Sequence, residues 1–201
     1  MKKSMFLALL ICCSKFILAD SPVTSTNFHT AYQDIPMVVY AGEKGIIDQE
    51  IADFLMNPEH EIDLKAAVIN ALSWDFNGKS NALRYRDFLK EKHNKRYLKK
   101  IHKMEAHDLF CLGYLTAMDD YFNCYPALEF LEEAVKKQPG SFTMQIILAI
   151  VKAQIAFDVN WCEVWKLTDE VLKKDDLERD MRENAIEIIV NYMILYKESC
   201  K

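Results

Sequence analysis

The sequence predicts an all-α fold: an array of antiparallel helix pairs of α-solenoid type, placed after an N-terminal export signal. Three observations carry that expectation. Only five Gly and five Pro occur in 201 residues, too few for the tight turns of an all-β sandwich or barrel. From Ile46 onward, apolar residues recur at the spacing of a helix with one buried face. The breakers Asn57-Pro58, Asn77-Gly78 and Pro139-Gly140 fall between the periodic stretches. A content of 51% hydrophobic and 27% charged residues excludes a disordered or collagenous chain.

Taken in order, residues 1–19 combine Lys2 and Lys3, an apolar run through Cys13, and the ending Ile17-Leu18-Ala19. This pattern is that of a secretory signal cleaved after Ala19, and its apolar run is too short to span a bilayer. Lipid attachment at Cys12 or Cys13 is the weaker reading, because bulky Ile11 and Cys12 precede them. Cleavage removes Lys2, Lys3 and Lys15 and takes the formal charge from -5 to about -8, which argues against nucleic acid as a partner. Residues 20–45 are rich in Ser, Thr and Asn and read as a flexible lead-in. Within it, Pro36 to Tyr40 is expected to be extended, since Met37-Val38-Val39-Tyr40 is β-prone.

The helical domain is expected over 46–201. Its N-terminal helices, within 46–105, are read at 47–55, 63–74, 81–93 and 95–105. The portion 106–201 holds helices at 108–122, 126–137, 141–157 and 162–174, and a last helix at 177–197 that caps the stack. Residues Ala127 to Lys137 align with Val164 to Lys174 at a period of about 37, each copy ending in an acidic turn, two apolar residues and Lys-Lys.

Here the chain resembles the tetratricopeptide repeat family. Leu112-Gly113 is similar to the Leu-Gly pair of that motif's first helix, and Ala127, Ala134 and Pro139 are similar to its later Ala, Ala and Pro. The pattern departs from the family at Leu109, Thr116 and Ile150. The resemblance covers residues 108–175 and implies a TPR-like stack that offers extended surfaces to segments of other proteins. Independently of any family, Gly113 inside a helix costs about 1 kcal/mol relative to Ala, a cost that close helix contact offsets.

No catalytic motif emerges. His102 and His107 stand about 140° apart on a helix, unlike an i, i+4 zinc pair, and are read with Glu105 as a solvated polar face. Residues 75–81 alternate Asp and Asn as a calcium loop does, but Lys79, Ser80 and Arg86 occupy ligand or glycine positions. Neither cofactor nor metal is expected. The cysteines Cys111, Cys124, Cys162 and Cys200 lack any CxxC and are read as buried thiols dispensable for folding.

Two features are candidates for partner contact. Trp161 and Trp165 lie one helical turn apart, where aromatics either fill a core or anchor a bound peptide. The stretch 84–103 holds nine basic and two acidic residues. On a helix, Lys95, Arg96, Lys99, Lys100 and Lys103 would share one face, opposite Tyr97, Leu98, Ile101 and Met104. That face is read either as solvated and neutralised by Glu129, Glu132 and Glu133, or as contacting an acidic protein segment or an anionic membrane surface. The resulting expectation is an exported, periplasmic or secreted, non-catalytic module that binds or scaffolds another protein. The alternatives are an exported hydrolase and an oligomer-forming structural protein. A concave groove lined by aromatics would favour the binder, convergent His, Asp or Glu in a deep pocket the enzyme, and a flat apolar patch the oligomer.

Overall fold

The computed structural model describes residues 21–93 and 96–200; the expected signal at 1–19 and the candidate Lys95 lie outside them. The described chain is all-helical, with no strand. Its α-helices are α1 (Pro22–Ser25), α2 (Pro36–Lys44), α3 (Gln49–Met56), α4 (Ile62–Leu72), α5 (Asn81–His93), α6 (Ala106–Asp119), α7 (Tyr125–Lys137), α8 (Phe142–Ala156), α9 (Trp161–Leu172) and α10 (Glu183–Met193). Short 3-10 stretches stand at Phe28–Tyr32, Tyr97–Lys99, Ile101–Lys103 and Ile194–Ser199. None of these helices is long and apolar enough to cross a membrane.

Sequence decides which helices are central. In α6 and α8 the runs Leu109 to Leu115 and Ile146 to Val151 are buried on every side, as expected of helices enclosed by others. The helices α7 and α9 are two-faced and bury one stripe each, Ala127, Leu131 and Ala134 in α7 and Val164, Trp165, Thr168 and Val171 in α9. α6 packs on α3, α4, α5, α7 and α8, and α8 packs on α9. Gly113 lets α6 and α7 touch, since a Cβ there would lie 2.7 Å from Leu131 Cγ. One buried cluster runs from Val23 to Tyr196, so the portions 46–105 and 106–201 share a core.

The lead-in expected at 20–45 is corrected over 21–45. Val23, Phe28, Tyr32, Val38 and Ala41 are buried there, each large apolar side chain contributing about 1.5–3 kcal/mol. Its Ser and Thr hydroxyls serve local turns, Thr26 Oγ1 donating to Pro22 O at 2.8 Å and Thr30 Oγ1 to Asn27 O at 2.9 Å. Asn70 of α4 ties the segment down, accepting from His29 N at 3.0 Å and donating to Thr26 O at 3.1 Å. Residues 36–40 are helical, not extended. Pro36 opens α2 and Gly45, at φ 64°, closes it by donating its N–H to Ala41 O; burial of Val38 and Ala41 overrides β-propensity.

Two further helices differ from expectation. The stretch expected as a helix over 95–105 holds two 3-10 turns separated at Lys100, whose φ of -130° and ψ of 77° leave the helical region. The last helix begins at Glu183, not near 177, because Asp180 is taken by α8. Its carboxylate accepts Ser141 Oγ at 2.5 Å and Thr143 N at 2.7 Å, and Glu178 forms an isolated parallel bridge with Ser141. The four-thiol expectation is also corrected. Cys162 and Cys200 form a disulfide with Cα atoms 4.7 Å apart, whereas Cys111 and Cys124 are buried free thiols.

Candidate functional site

Two clefts open on the surface of the described residues and hold the candidate site residues. The first opens where the end of α2, the α4–α5 loop and the α6–α7 loop meet, with a volume of about 900 Å³. Its floor is fixed by Lys79, whose ammonium donates to Leu72 O at 2.6 Å and Gly45 O at 3.1 Å and so satisfies the carbonyl ends of α4 and α2. Burial lowers the pKa of this lysine. Asp119, at the end of α6, accepts Asn81 N at 3.1 Å and Ala82 N at 2.7 Å and caps α5 from a neighbouring helix. Burial pushes its carboxyl up, and those two bonds oppose the shift. Asp75, the first residue of the calcium-like run, accepts Asn77 N at 2.8 Å in a local turn. The residues of 75–81 that alternate Asp and Asn thus build the loop.

On this fixed floor, Phe76 is 72% exposed and Phe122 70%. Their rings meet edge to face at 6.2 Å, and exposed Ile46 lies beside them in the same cleft. The arrangement is an open cleft with an aromatic rim above a hydrogen-bonded floor. The sequence signal for it is faint: Phe76 stands in a polar loop, and Phe122 is expected as the last residue of a helix over 108–122 but lies beyond α6, which ends at Asp119.

The second cleft, about 830 Å³, lies at the start of α4. The turn before it is built by Asn57, which accepts Glu59 N at 3.0 Å, and by His60, whose Nδ1 hydrogen-bonds Phe54 O at 3.0 Å while its ring stacks on Phe54. Glu61 caps α4 without a side-chain hydrogen bond. Asp63 and Lys65 follow, 7% and 0% exposed respectively. Asp63 Oδ2 accepts Tyr32 OH at 2.9 Å. Asp63 Oδ1 and Lys65 Nζ have no hydrogen-bond partner among the described residues. Burial raises the Asp63 pKa and lowers that of Lys65; nearby Cys111 and Asp108 oppose the latter shift. Periodicity carried a signal for Lys65 that was missed, since it shares a helical stripe with Val68, Ile69 and Leu72, all buried.

Beside this cleft, fully buried Asp108 closes the end of the bundle. It accepts Tyr85 OH at 3.1 Å and Tyr97 OH at 2.6 Å, with His107 Nε2 at 3.4 Å and His93 Nε2 at 3.7 Å. His107 therefore leaves the solvated face expected of it, and burial lowers its pKa. Burial pushes the Cys111 thiol up to about 12, with Lys65 opposing the shift.

The expected partner residues are dispersed. Trp161 is 57% exposed and Trp165 8%: the former packs on Phe157 and Tyr196 at the surface, and the latter lies in the core under Lys197. Arg96, Lys99, Lys100 and Lys103 are exposed. Among the described residues no ion pair joins Lys99, Lys100 or Lys103 to a carboxylate. Glu132 and Glu133 pair instead with Lys152 and Lys136. No protein-family model, curated protein or solved structure matches the chain.

Proposed function

We propose that this chain is an exported, non-catalytic helical module that binds a segment of another protein, built as a TPR-like array of antiparallel helix pairs. The observation that carries this reading is the exposed Phe76–Phe122 pair on the rim of a cleft whose floor is pinned by Lys79 and Asp119. Large apolar rings held open to solvent on a rigid frame are what a peptide-binding groove needs, because little conformational entropy is lost on binding. The repeat period supports the array: its two copies fall in α7 and α9, each preceded by an enclosed helix, α6 or α8. The exposed Lys99, Lys100 and Lys103 support an acidic character in the partner. Export is supported by the sequence of residues 1–19 and by the Cys162–Cys200 disulfide, a bond favoured in oxidising compartments.

The test is affinity capture from an extract of the source cells, with the wild type compared against Phe76→Ser/Phe122→Ser and Lys99→Gln/Lys103→Gln. A partner lost with the first variant and weakened by the second or by salt supports the reading. Identical capture by all three contradicts it.

A further inference from the structure

A buried polar atom without a partner is rare in native proteins and calls for an explanation. Among the described residues the buried side-chain atoms without a partner are Asp63 Oδ1, Lys65 Nζ, Tyr121 OH and Thr168 Oγ1. Two of the four, one acceptor and one ammonium, come from residues two apart in the first turns of α4 and line a single cleft. Residues at that spacing point to nearly opposite sides of a helix. Lys65 faces the α6 side, where Asp108 and Cys111 lie, and Asp63 the side of Tyr32 and Arg182. They do not answer each other.

Of the remaining charges of the cleft, Arg179 donates Nη2 to Leu172 O at 3.0 Å and lies over the Phe142 ring, and the others sort into two groups. Arg182 is committed to Asp34, through Nη1 at 2.5 Å and Nη2 at 3.1 Å, and to Ala31 O at 3.0 Å. Asp180 is committed to Ser141 and Thr143. Glu59, Glu61 and Glu178 also line the cleft, and no ion pair joins them to a cation among the described residues. A dianion such as phosphate would meet these carboxylates. A simple amine would leave Lys65 unanswered.

We propose that the cleft at the start of α4 binds a small extended zwitterion, its carboxylate on Lys65 Nζ and its ammonium on Asp63 Oδ1 within the field of Glu61 and Glu178. The ligand must reach around the end of α4, which selects a molecule whose charges are separated by several bonds over a compact α-amino acid. The role is independent of the aromatic cleft, which lies elsewhere on the fold.

The experiment titrates the full chain with 5-aminopentanoate, and separately with glycine, pentanoate, pentylamine and inorganic phosphate, by calorimetry and by amide chemical shifts. Saturable binding of 5-aminopentanoate is expected, with shifts at residues 59–65, 107 and 178. Glycine, pentanoate and pentylamine should each bind roughly tenfold more weakly or worse. Lys65→Met should lose the carboxylate contribution and keep the weak pentylamine response; Asp63→Asn should do the reverse. Should Asp63→Asn fail to fold through its loss at Tyr32, Glu61→Gln replaces it, with a several-fold weaker affinity expected for 5-aminopentanoate and none for pentanoate. Absence of saturable binding up to tens of millimolar overturns the proposal. So does equal affinity in the variants and wild type, or phosphate binding more tightly than the zwitterion.

Discussion

A Cβ added to Gly113 would stand 2.7 Å from Leu131 Cγ and 3.1 Å from the Leu131 backbone nitrogen, so α6 and α7 meet at a distance that excludes a methyl group. Gly113→Ala would gain about 1 kcal/mol of helix propensity but force the two helices apart, at an overpacking cost of about 1–3 kcal/mol. The expected outcome is a net loss of stability in urea unfolding with the m-value unchanged. Equal or greater stability would show that this contact yields freely.

The disulfide joins residues 38 apart and ties the start of α9 to the 3-10 turn after α10. Closing a loop of that size stabilises a fold by about 2–4 kcal/mol, so reductant should lower the melting temperature clearly. Cys162→Ser/Cys200→Ser should reproduce the shift, and Cys111→Ala and Cys124→Ala should not make the protein indifferent to reductant. A melting curve unchanged by reduction would restore the expectation of dispensable cysteines.

Lys65 holds a charge that burial disfavours, so its folded pKa lies below the ordinary 10.5. Between the folded value and 10.5 the unfolded chain binds the extra proton, and stability rises with pH. Replacing the ammonium with an apolar side chain of similar length should stabilise the ligand-free protein at neutral pH by about 1 kcal/mol or more. The difference between Lys65→Met and wild type should shrink as pH climbs toward 10.5. A destabilised Lys65→Met at neutral pH would mean that the ammonium has structural partners.

His107 works in the opposite pH range. Burial sets its folded pKa below 6.5, so the unfolded chain takes up its proton first and stability falls as pH drops from about 6.5 through the folded value. His107→Gln should flatten that part of the stability profile. An unchanged profile would place the acid sensitivity in other groups.

How much of this was legible in sequence follows from the range of the interactions. Helix α5 is read at its observed limits, 81–93, and α8 within a residue of its own, because local signals mark them: the Asn77-Gly78 turn ahead of one, and Ser141 capping Met144 N at the start of the other. Residues 21–45 and 177–182 were misread because their hydrogen bonds run to distant positions. Asn70 reaches back to His29 and Thr26, Asp180 to Ser141 and Thr143, and Arg182 to Asp34. Composition cannot show such pairs. The second cleft is half legible, since Lys65 sits on an apolar stripe where a lysine is out of place, but Asp63 reads as a plausible cap of the helix expected at 63–74, whereas the cap position of α4 is Glu61.

Arg182 tests the long-range part directly. Its side chain reaches Asp34 and Ala31 O, its backbone N–H donates to Tyr32 OH at 3.2 Å, and its guanidinium lies over the Tyr32 ring. Arg182→Ala should speed amide exchange in residues 28–35 without altering α7 or α9. Uniform exchange across the chain would contradict a local strap.

The most direct measurement of the binding role is photo-crosslinking from the rim of the aromatic cleft. With benzoylphenylalanine in place of Phe122, irradiation in an extract of the source cells should give one dominant adduct with another protein, absent when the probe replaces exposed Glu91 and suppressed by Phe76→Ser. Adducts equal from both positions, or with a second copy of this chain alone, would contradict the proposed role.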